Sequence, residues 1–204
     1  MGLNFYVNEN VLIPQPDTEI LVEEVLQLLK QNVSKNMKRD NIRILDLCTG
    51  SGAIAISIAK MQENSTVTAS DISEEAINIA RKNSVDNNTD IEFVVSNMFE
   101  KINGKFDIIV SNPPYIEEKV ISTLPKEVQK EPYIALFGGE DGLKFYRIIA
   151  KEGKKFLNAN GYIAVEIGYN QKEKVIELFE KEDYKEVYSK EDFGGNDRIV
   201  IAKI

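Results

Sequence analysis

The sequence predicts an α/β fold: a mostly parallel, seven-stranded sheet with an antiparallel closing strand and helices on both faces. Three observations predict it. Short runs rich in Ile, Val and Leu alternate with segments whose apolar residues recur at helical spacing, the pattern of strand–helix–strand units in a parallel sheet. Asp46, Asp71, Asn97 and Asn112 stand at or just past the C-terminal ends of four successive runs, the edge where such sheets bind ligands. The last two runs are joined by a turn at 194–197, with no helical pattern between them, so they pair antiparallel.

Residues 1–16 form an extended arm that closes on Pro14 and Pro16. Asp17 or Thr18 caps the following helix, whose Ile20, Leu21, Val25, Leu28 and Leu29 share a face through about Lys30. Residues 31–41 are polar and basic and read as a surface connection. The organisation expected is an arm, helix and connection over 1–41 and one domain over 42–204. Residues 42–47 are a buried strand, and 53–61 a helix with Ile54, Ile58 and Met61 on one side. Strand 66–70 ends in Asp71. Ser73 caps helix 74–83, which turns Ala76, Ile77 and Ala80 inward. Residues 91–95 and 106–110 are the third and fourth strands. Residues 143–157 read as helix, 162–167 as the fifth strand, 172–182 as helix, and 184–189 and 198–202 as the closing pair. Residues 116–142 carry no assigned role; a lid over a substrate is one reading.

Composition removes whole classes of chemistry. The chain has no histidine, which excludes Ser-His-Asp triads, His general bases and His-ligated metals. The single Cys48 excludes an internal disulfide and a multi-cysteine zinc site, and fits a reducing cytoplasm. No metal is expected. No apolar run approaches a membrane span and no signal-peptide pattern is present, so a cytoplasmic location without membrane contact is expected. The formal net charge of −8 opposes binding to a phosphate backbone, although a local basic patch is compatible with it.

Two loops carry the candidate chemistry. Cys48-Thr49-Gly50-Ser51-Gly52 turns from strand to helix, where Gly50 and Gly52 admit a ligand to the backbone and a helix N-terminus offers free amides. Asp71, at the end of the next strand, suits the two hydroxyls of a ribose; its other reading is a cap near Ser73. Asp46 either faces the same ligand or ties down the glycine loop. Met98 and Phe99 either cover a base or pack in the core. In the second loop, Asn112-Pro113-Pro114-Tyr115 ends the fourth strand, because two prolines remove two backbone donors and fix φ. A side-chain amide, free carbonyls and a ring on a stiff turn suit a flat polar group such as an amide or a nucleobase; a plain strand-ending turn is the alternative. Glu166 and Gly168, at the end of the fifth strand, either line the cleft or make the next turn, the turn being preferred; 138–142 reads as a structural loop before a helix, and Tyr6 and Tyr133 as surface or core residues.

DLCTGSG, the following Asp71 and NPPY after the fourth strand resemble the class I S-adenosylmethionine-dependent methyltransferases, with their Rossmann-like fold. NPPY is similar to the branch that methylates adenine, cytosine or glutamine nitrogen. VLIPQPDTE (11–19), EPYIALFGGEDGL (131–143), EIGYNQ (166–171) and GGNDR (194–198) resemble the peptide chain release factor glutamine methyltransferases, over nearly the whole chain. The resemblance implies methyl transfer from S-adenosyl-L-methionine to the side-chain nitrogen (N5) of the glutamine in the Gly-Gly-Gln motif of release factors, leaving S-adenosyl-L-homocysteine. It implies that Cys48, Thr49, Gly50, Ser51, Gly52, Asp71 and Met98, with Asp46 and Asn112, form the cofactor site. It further implies that Asn112, Pro113 and Tyr115 are catalytic and that Pro114 joins them in the glutamine pocket. Cys48 stands where the family has a glycine, Asn97 where it has an acid, and Gln15 where it has an arginine. The family carries a small helical domain before this point, so the chain reads as a catalytic domain alone. Release factors are the expected partners, and a monomer is expected. An adenine-N6 nucleic-acid methyltransferase and an inactive cofactor-binding scaffold are the alternatives.

Overall fold

The computed structural model describes residues 1–33 and 41–204; the connection expected over 31–41 lies mostly outside the described residues. The elements in chain order are α1 (Thr18–Val33), β1 (Ile42–Leu47), α2 (Ala53–Met61), β2 (Ser65–Asp71), α3 (Glu74–Asp86), β3 (Ile91–Val95), β4 (Phe106–Ser111), the short α4 (Glu118–Ile121) and α5 (Tyr133–Leu136), α6 (Lys144–Gly153), β5 (Leu157–Glu166), α7 (Lys172–Lys181), β6 (Lys185–Glu191) and β7 (Asp197–Lys203). The strands form one seven-stranded sheet in the order β3-β2-β1-β4-β5-β7-β6. β1 to β5 are parallel neighbours, and β7 is antiparallel to both β5 and β6. The chain winds outward from β1 through β2 to β3, then returns to place β4 on the other side of β1, so the switch point lies between β1 and β4.

The two-residue period of the strands divides the core. Leu45, Leu47, Ile109, Ile163 and Val165 face Tyr146 and Ile149 of α6 and Val175 and Phe179 of α7. Ile42, Ile44, Ile108, Val110 and Ala164 face Leu21, Val25 and Leu28 of α1 and Ile54 and Ile58 of α2. Alternate side chains of a strand point to opposite faces, so a sheet whose strands are almost continuously apolar must be covered on both sides. Ser73 caps α3, its Oγ accepting from the N–H of Ala76 at 3.1 Å, with Glu74 and Glu75 in the first turn beside the helix's positive end.

The expected helix over 143–157 is wrong at its C-terminal end. α6 stops at Gly153, a 3₁₀ turn covers Lys154–Phe156, and β5 begins at Leu157, five residues before the expected start at 162. Asn158-Ala159-Asn160-Gly161 reads as a turn, yet it is an irregularity inside the strand: Asn160 has φ 62°, and the register with β4 shifts between Phe106 and Ile108. Asp107, nearly fully buried, holds it, accepting from Asn158 Nδ2 at 2.8 Å and from the N–H of Arg43 at 2.9 Å.

Candidate active site

Leu47 of β1 lies beside Ser70 of β2 and Ser111 of β4, so the loops after these strands emerge side by side. Ser111 Oγ locks the switch point by donating to the carbonyl of Leu47 at 2.8 Å. A cavity of about 900 Å³ opens there. Cys48, Thr49, Gly50 and Ser51 line it from β1, Asp71 from β2, Asn97 and Met98 from the loop after β3, and Asn112 and Pro114 from β4. The N-terminal arm forms a further wall with Leu3, Phe5 and Ile13, while Tyr133, Ile134 and Phe137 stand at the α5 side. Asp71 and Asn112 therefore share one edge of the sheet.

The glycine loop is held from beneath. Asp46 is fully buried; its Oδ2 accepts from Thr49 Oγ1 at 2.6 Å and from the N–H of Ala55 at 3.2 Å, while Oδ1 has no partner. Of the two readings left open for Asp46, this is the geometry of the loop tie. Burial pushes its carboxyl up to about 7. Gly52 begins α2 at φ 83°, and a Cβ there would come within 2.9 Å of the Ile56 side chain and 3.1 Å of Ala80. Cys48 takes φ 58°, the left-handed conformation that favours glycine, and its Sγ lies 3.8 Å from the Met98 sulfur. Burial raises its thiol pKa, so it is a poor nucleophile. Phe99 is stacked on Phe156, at 4.7 Å between ring centroids, and belongs to the core.

Asp71 reaches both neighbouring loops. Its Oδ2 accepts from the N–H of Gly50 at 2.9 Å and its Oδ1 from the N–H of Ser73 at 3.0 Å. Each oxygen keeps a lone pair for a further donor from the cavity, and burial raises the carboxyl's pKa.

Asn83 was not singled out in the sequence. It is fully buried on α3 and joins the arm to the glycine loop: Oδ1 accepts from the N–H of Tyr6 at 2.8 Å, and Nδ2 donates to the carbonyls of Tyr6 at 2.9 Å and Ser51 at 2.8 Å. Val7 and Val11 of the arm pack on Ala76 and Ile79 beside it. An asparagine inside a helix carries no sequence signal for contacts this distant. Replacing Asn83 with Ala leaves three backbone groups without their partner. It is expected to lower stability by about 1–3 kcal/mol, the cost of an unsatisfied buried polar group, read as a lower urea midpoint.

At the β4 end, Pro113 is buried and Tyr115 half-buried, neither of them lining the cavity as Asn112 and Pro114 do, and Arg198 lies near the Tyr115 hydroxyl. Burial and the nearby Glu166 push the Tyr115 hydroxyl up to about 12. Glu166, for which the turn was preferred over a place at the cleft, is a buried acid at the end of β5, near Asn112. It is 2% exposed and accepts from Thr18 Oγ1 at 2.6 Å, with the Asn112 side chain nearby favouring its charged form. Its desolvation outweighs these contacts and pushes its pKa up to about 7. Gln171, just before α7, ties Tyr115 to the loop at 138–142: its Nε2 donates to the Tyr115 carbonyl at 3.0 Å and to that of Gly142 at 3.3 Å.

Asp46 and Glu166 both titrate near 7 when folded, against ordinary values of 3.8 and 4.5. Between about pH 4 and 7 the folded chain holds protons that the unfolded chain has released, so stability falls as pH rises through that window and levels off above it. Asp141 and Asp192, lowered to about 2, complete their contribution below it. A higher urea midpoint at pH 5 than at pH 8 is expected, with Asp46→Asn narrowing the difference; a midpoint that rises over that interval contradicts it.

Among the described residues no helix is long and apolar enough to cross a membrane. The family model described as methyltransferase small domain matches residues 22–130. The chain is 44% identical over 205 residues to the release factor glutamine methyltransferase of Agrobacterium fabrum, covering 99% of this chain and 70% of that one. It is 45% identical over 208 residues to the protein of the same name from Clostridium acetobutylicum, with the same coverage of both chains. Among solved structures it is similar to the release factor-specific protein-(glutamine-N5) methyltransferase of Alicyclobacillus acidocaldarius, with a TM-score of 0.56, 29% identity and 98% of each chain covered.

Proposed function

Because the chain belongs to the release factor glutamine methyltransferase family, we propose that it binds S-adenosyl-L-methionine in the switch-point cavity and methylates the side-chain nitrogen of a release-factor glutamine at Asn112. The observation that carries this reading is the adjacency of Asn112 to the glycine loop across the β1–β4 pair, with both facing one cavity. Asp71 offers acceptors to ribose hydroxyls, Thr49 to Ser51 offer backbone groups before α2, and Met98 and Asn97 offer a side for the base. A Cβ on Gly50 would meet no atom within 4 Å, so the loop leaves room for a ligand. The bound sulfonium supplies an electrophilic methyl.

A carboxamide nitrogen is a weak nucleophile, because its lone pair is delocalised into the carbonyl. The task of the chain's own residues is therefore placement, and alignment of reacting groups can lower a barrier by roughly 7–11 kcal/mol. Asn112 Oδ1 and the Pro113 carbonyl accept the two N–H bonds of the target amide. They orient its lone pair and favour the positive charge that grows on nitrogen during transfer. The product proton leaves to water, and no histidine is needed. Tyr115, whose carbonyl accepts from Gln171 Nε2, stiffens the loop on which Asn112 sits. Release factors are the protein partner in this reading, and the Gly-Gly-Gln glutamine is the acceptor.

A methyl-transfer assay offering intact release factor, a free glutamine peptide and DNA side by side tests this. Transfer to the release factor glutamine, located by mass spectrometry, is expected. Transfer to DNA alone, or cofactor binding without transfer to any acceptor, overturns it.

A further inference from the structure

We propose that Thr18 and Glu166 are positioning residues that fix which end of the Asn112 carboxamide faces the cavity. This rests on the reading of Asn112 as the acceptor for the target amide. The three side chains come from separate places: Thr18 begins α1, Glu166 ends β5, and Asn112 follows β4. Thr18 Oγ1 lies 2.6 Å from Glu166 Oε2, and a carboxylate only accepts, so the hydroxyl's single proton points at Glu166. Toward Asn112 the hydroxyl can then only accept, and Asn112 Nδ2 donates to it at 3.4 Å. The Asn112 side chain also favours the charged form of the nearby Glu166 carboxyl, as an amide N–H turned toward it does. Thr18 therefore takes the NH₂ end. The Oδ1 end is left for the cavity that Thr18 and Asn112 both line.

The consequence is chemical. An amide in the other orientation would set its N–H bonds against those of the incoming glutamine, donor to donor. The chain of acceptors removes that alternative before the substrate arrives. Glu166 is itself held by its backbone, where its carbonyl accepts from the Tyr146 hydroxyl at 2.8 Å. The charged and titratable groups facing its carboxylate are Arg198 of β7, which favours the anion, and Asp17 before α1, which opposes it, with Tyr115 on the β4 loop nearby.

Protonation of Glu166 reverses the direction of the chain. A carboxylic acid can donate to Thr18 Oγ1, the hydroxyl can then donate to Asn112 Oδ1, and the carboxamide turns over. No atom is gained or lost beyond the one proton on Glu166. Turnover is therefore expected to fall as pH is lowered through the Glu166 titration, which burial has moved to about 7.

The test compares the wild-type chain with Thr18→Val, Thr18→Ser and Glu166→Gln, measuring kcat, KM for release factor, cofactor affinity and melting temperature across about pH 5.5 to 9. Thr18→Val is expected to lower kcat by about ten- to a hundredfold, as misplacement of a reacting group does, while KM and cofactor affinity stay within about twofold. Thr18→Ser restores most of the loss. Glu166→Gln loses the acidic limb of the kcat profile. The proposal is overturned by wild-type kcat in Thr18→Val, by a loss that appears equally in KM or cofactor affinity, or by an acidic limb that persists in Glu166→Gln. A second readout needs no turnover: the Asn112 side-chain NH₂ resonances should shift with pH in the wild type and stay fixed in Glu166→Gln, and resonances that shift in both overturn the proposal. Absence of methyl transfer by the wild type counts against the functional reading instead, and the resonances still decide the positioning.

Discussion

Asn112→Ala is expected to cut turnover by about 10²-fold or more while leaving cofactor affinity within a few-fold, the size of effect seen when one group that stabilises developing charge is removed. That loss corresponds to about 2.7 kcal/mol of barrier. The asymmetry between turnover and binding follows from where the residue sits. The proposed cofactor contacts come from the β1, β2 and β3 loops, and their supports, Asp46 and Asn83, hydrogen-bond Thr49, Ser51, Ala55 and Tyr6. Removing the Asn112 side chain takes an acceptor from the target amide, and it also leaves Thr18 without one donor. Single-turnover methylation with saturating cofactor, paired with calorimetric titration of cofactor, separates the two quantities. Unchanged turnover would remove Asn112 from the chemistry; an equal loss in both would make it a cofactor residue.

What could be read from the chain and what could not divide along the range of the interactions. The strand–helix alternation is local, so β1 to β4 and the closing pair emerge near their expected places. Asp71 and Asn112 were legible because their position at strand ends is itself a local property, and the parallel sheet carries both to one edge. β5 was misjudged because turn-forming residues sit inside a strand that neighbouring groups hold, chiefly Asp107 on Asn158. For Glu166 the turn was preferred over a place at the cleft because nothing within a few residues of it reveals Thr18, 148 positions away in sequence. Asn83 was overlooked for the same reason, since its partners in the arm and the glycine loop are 77 and 32 positions away. The candidate loops announce themselves by composition; the residues that hold those loops do so only through the fold.

The same logic makes a loop with no proposed ligand the site of the other large effect. Gly142 adopts φ +72°, and a Cβ built there would stand 2.4 Å from the Tyr115 carbonyl oxygen and 2.6 Å from Gln171 Nε2. Neither neighbour can yield easily. The Tyr115 carbonyl belongs to backbone that two prolines stiffen, and it accepts from Gln171, whose Oε1 in turn accepts from the N–H of Gly168 at 2.9 Å. Gly142→Ala must therefore bear a left-handed conformation and push the β4 loop away together. The expected cost is about 2–4 kcal/mol of stability, from a strained φ plus overpacking. The displacement also travels along Tyr115 and Pro114 to Asn112, and a shift on the order of 1 Å at a reacting group costs about 10²-fold in rate. A chain that is destabilised yet folded at the assay temperature, binds cofactor normally and has lost most of its turnover is the expected outcome. Circular dichroism in urea, cofactor titration and methyl transfer on one preparation measure all three. Normal turnover in a folded Gly142→Ala chain would show that the β4 loop does not need this support.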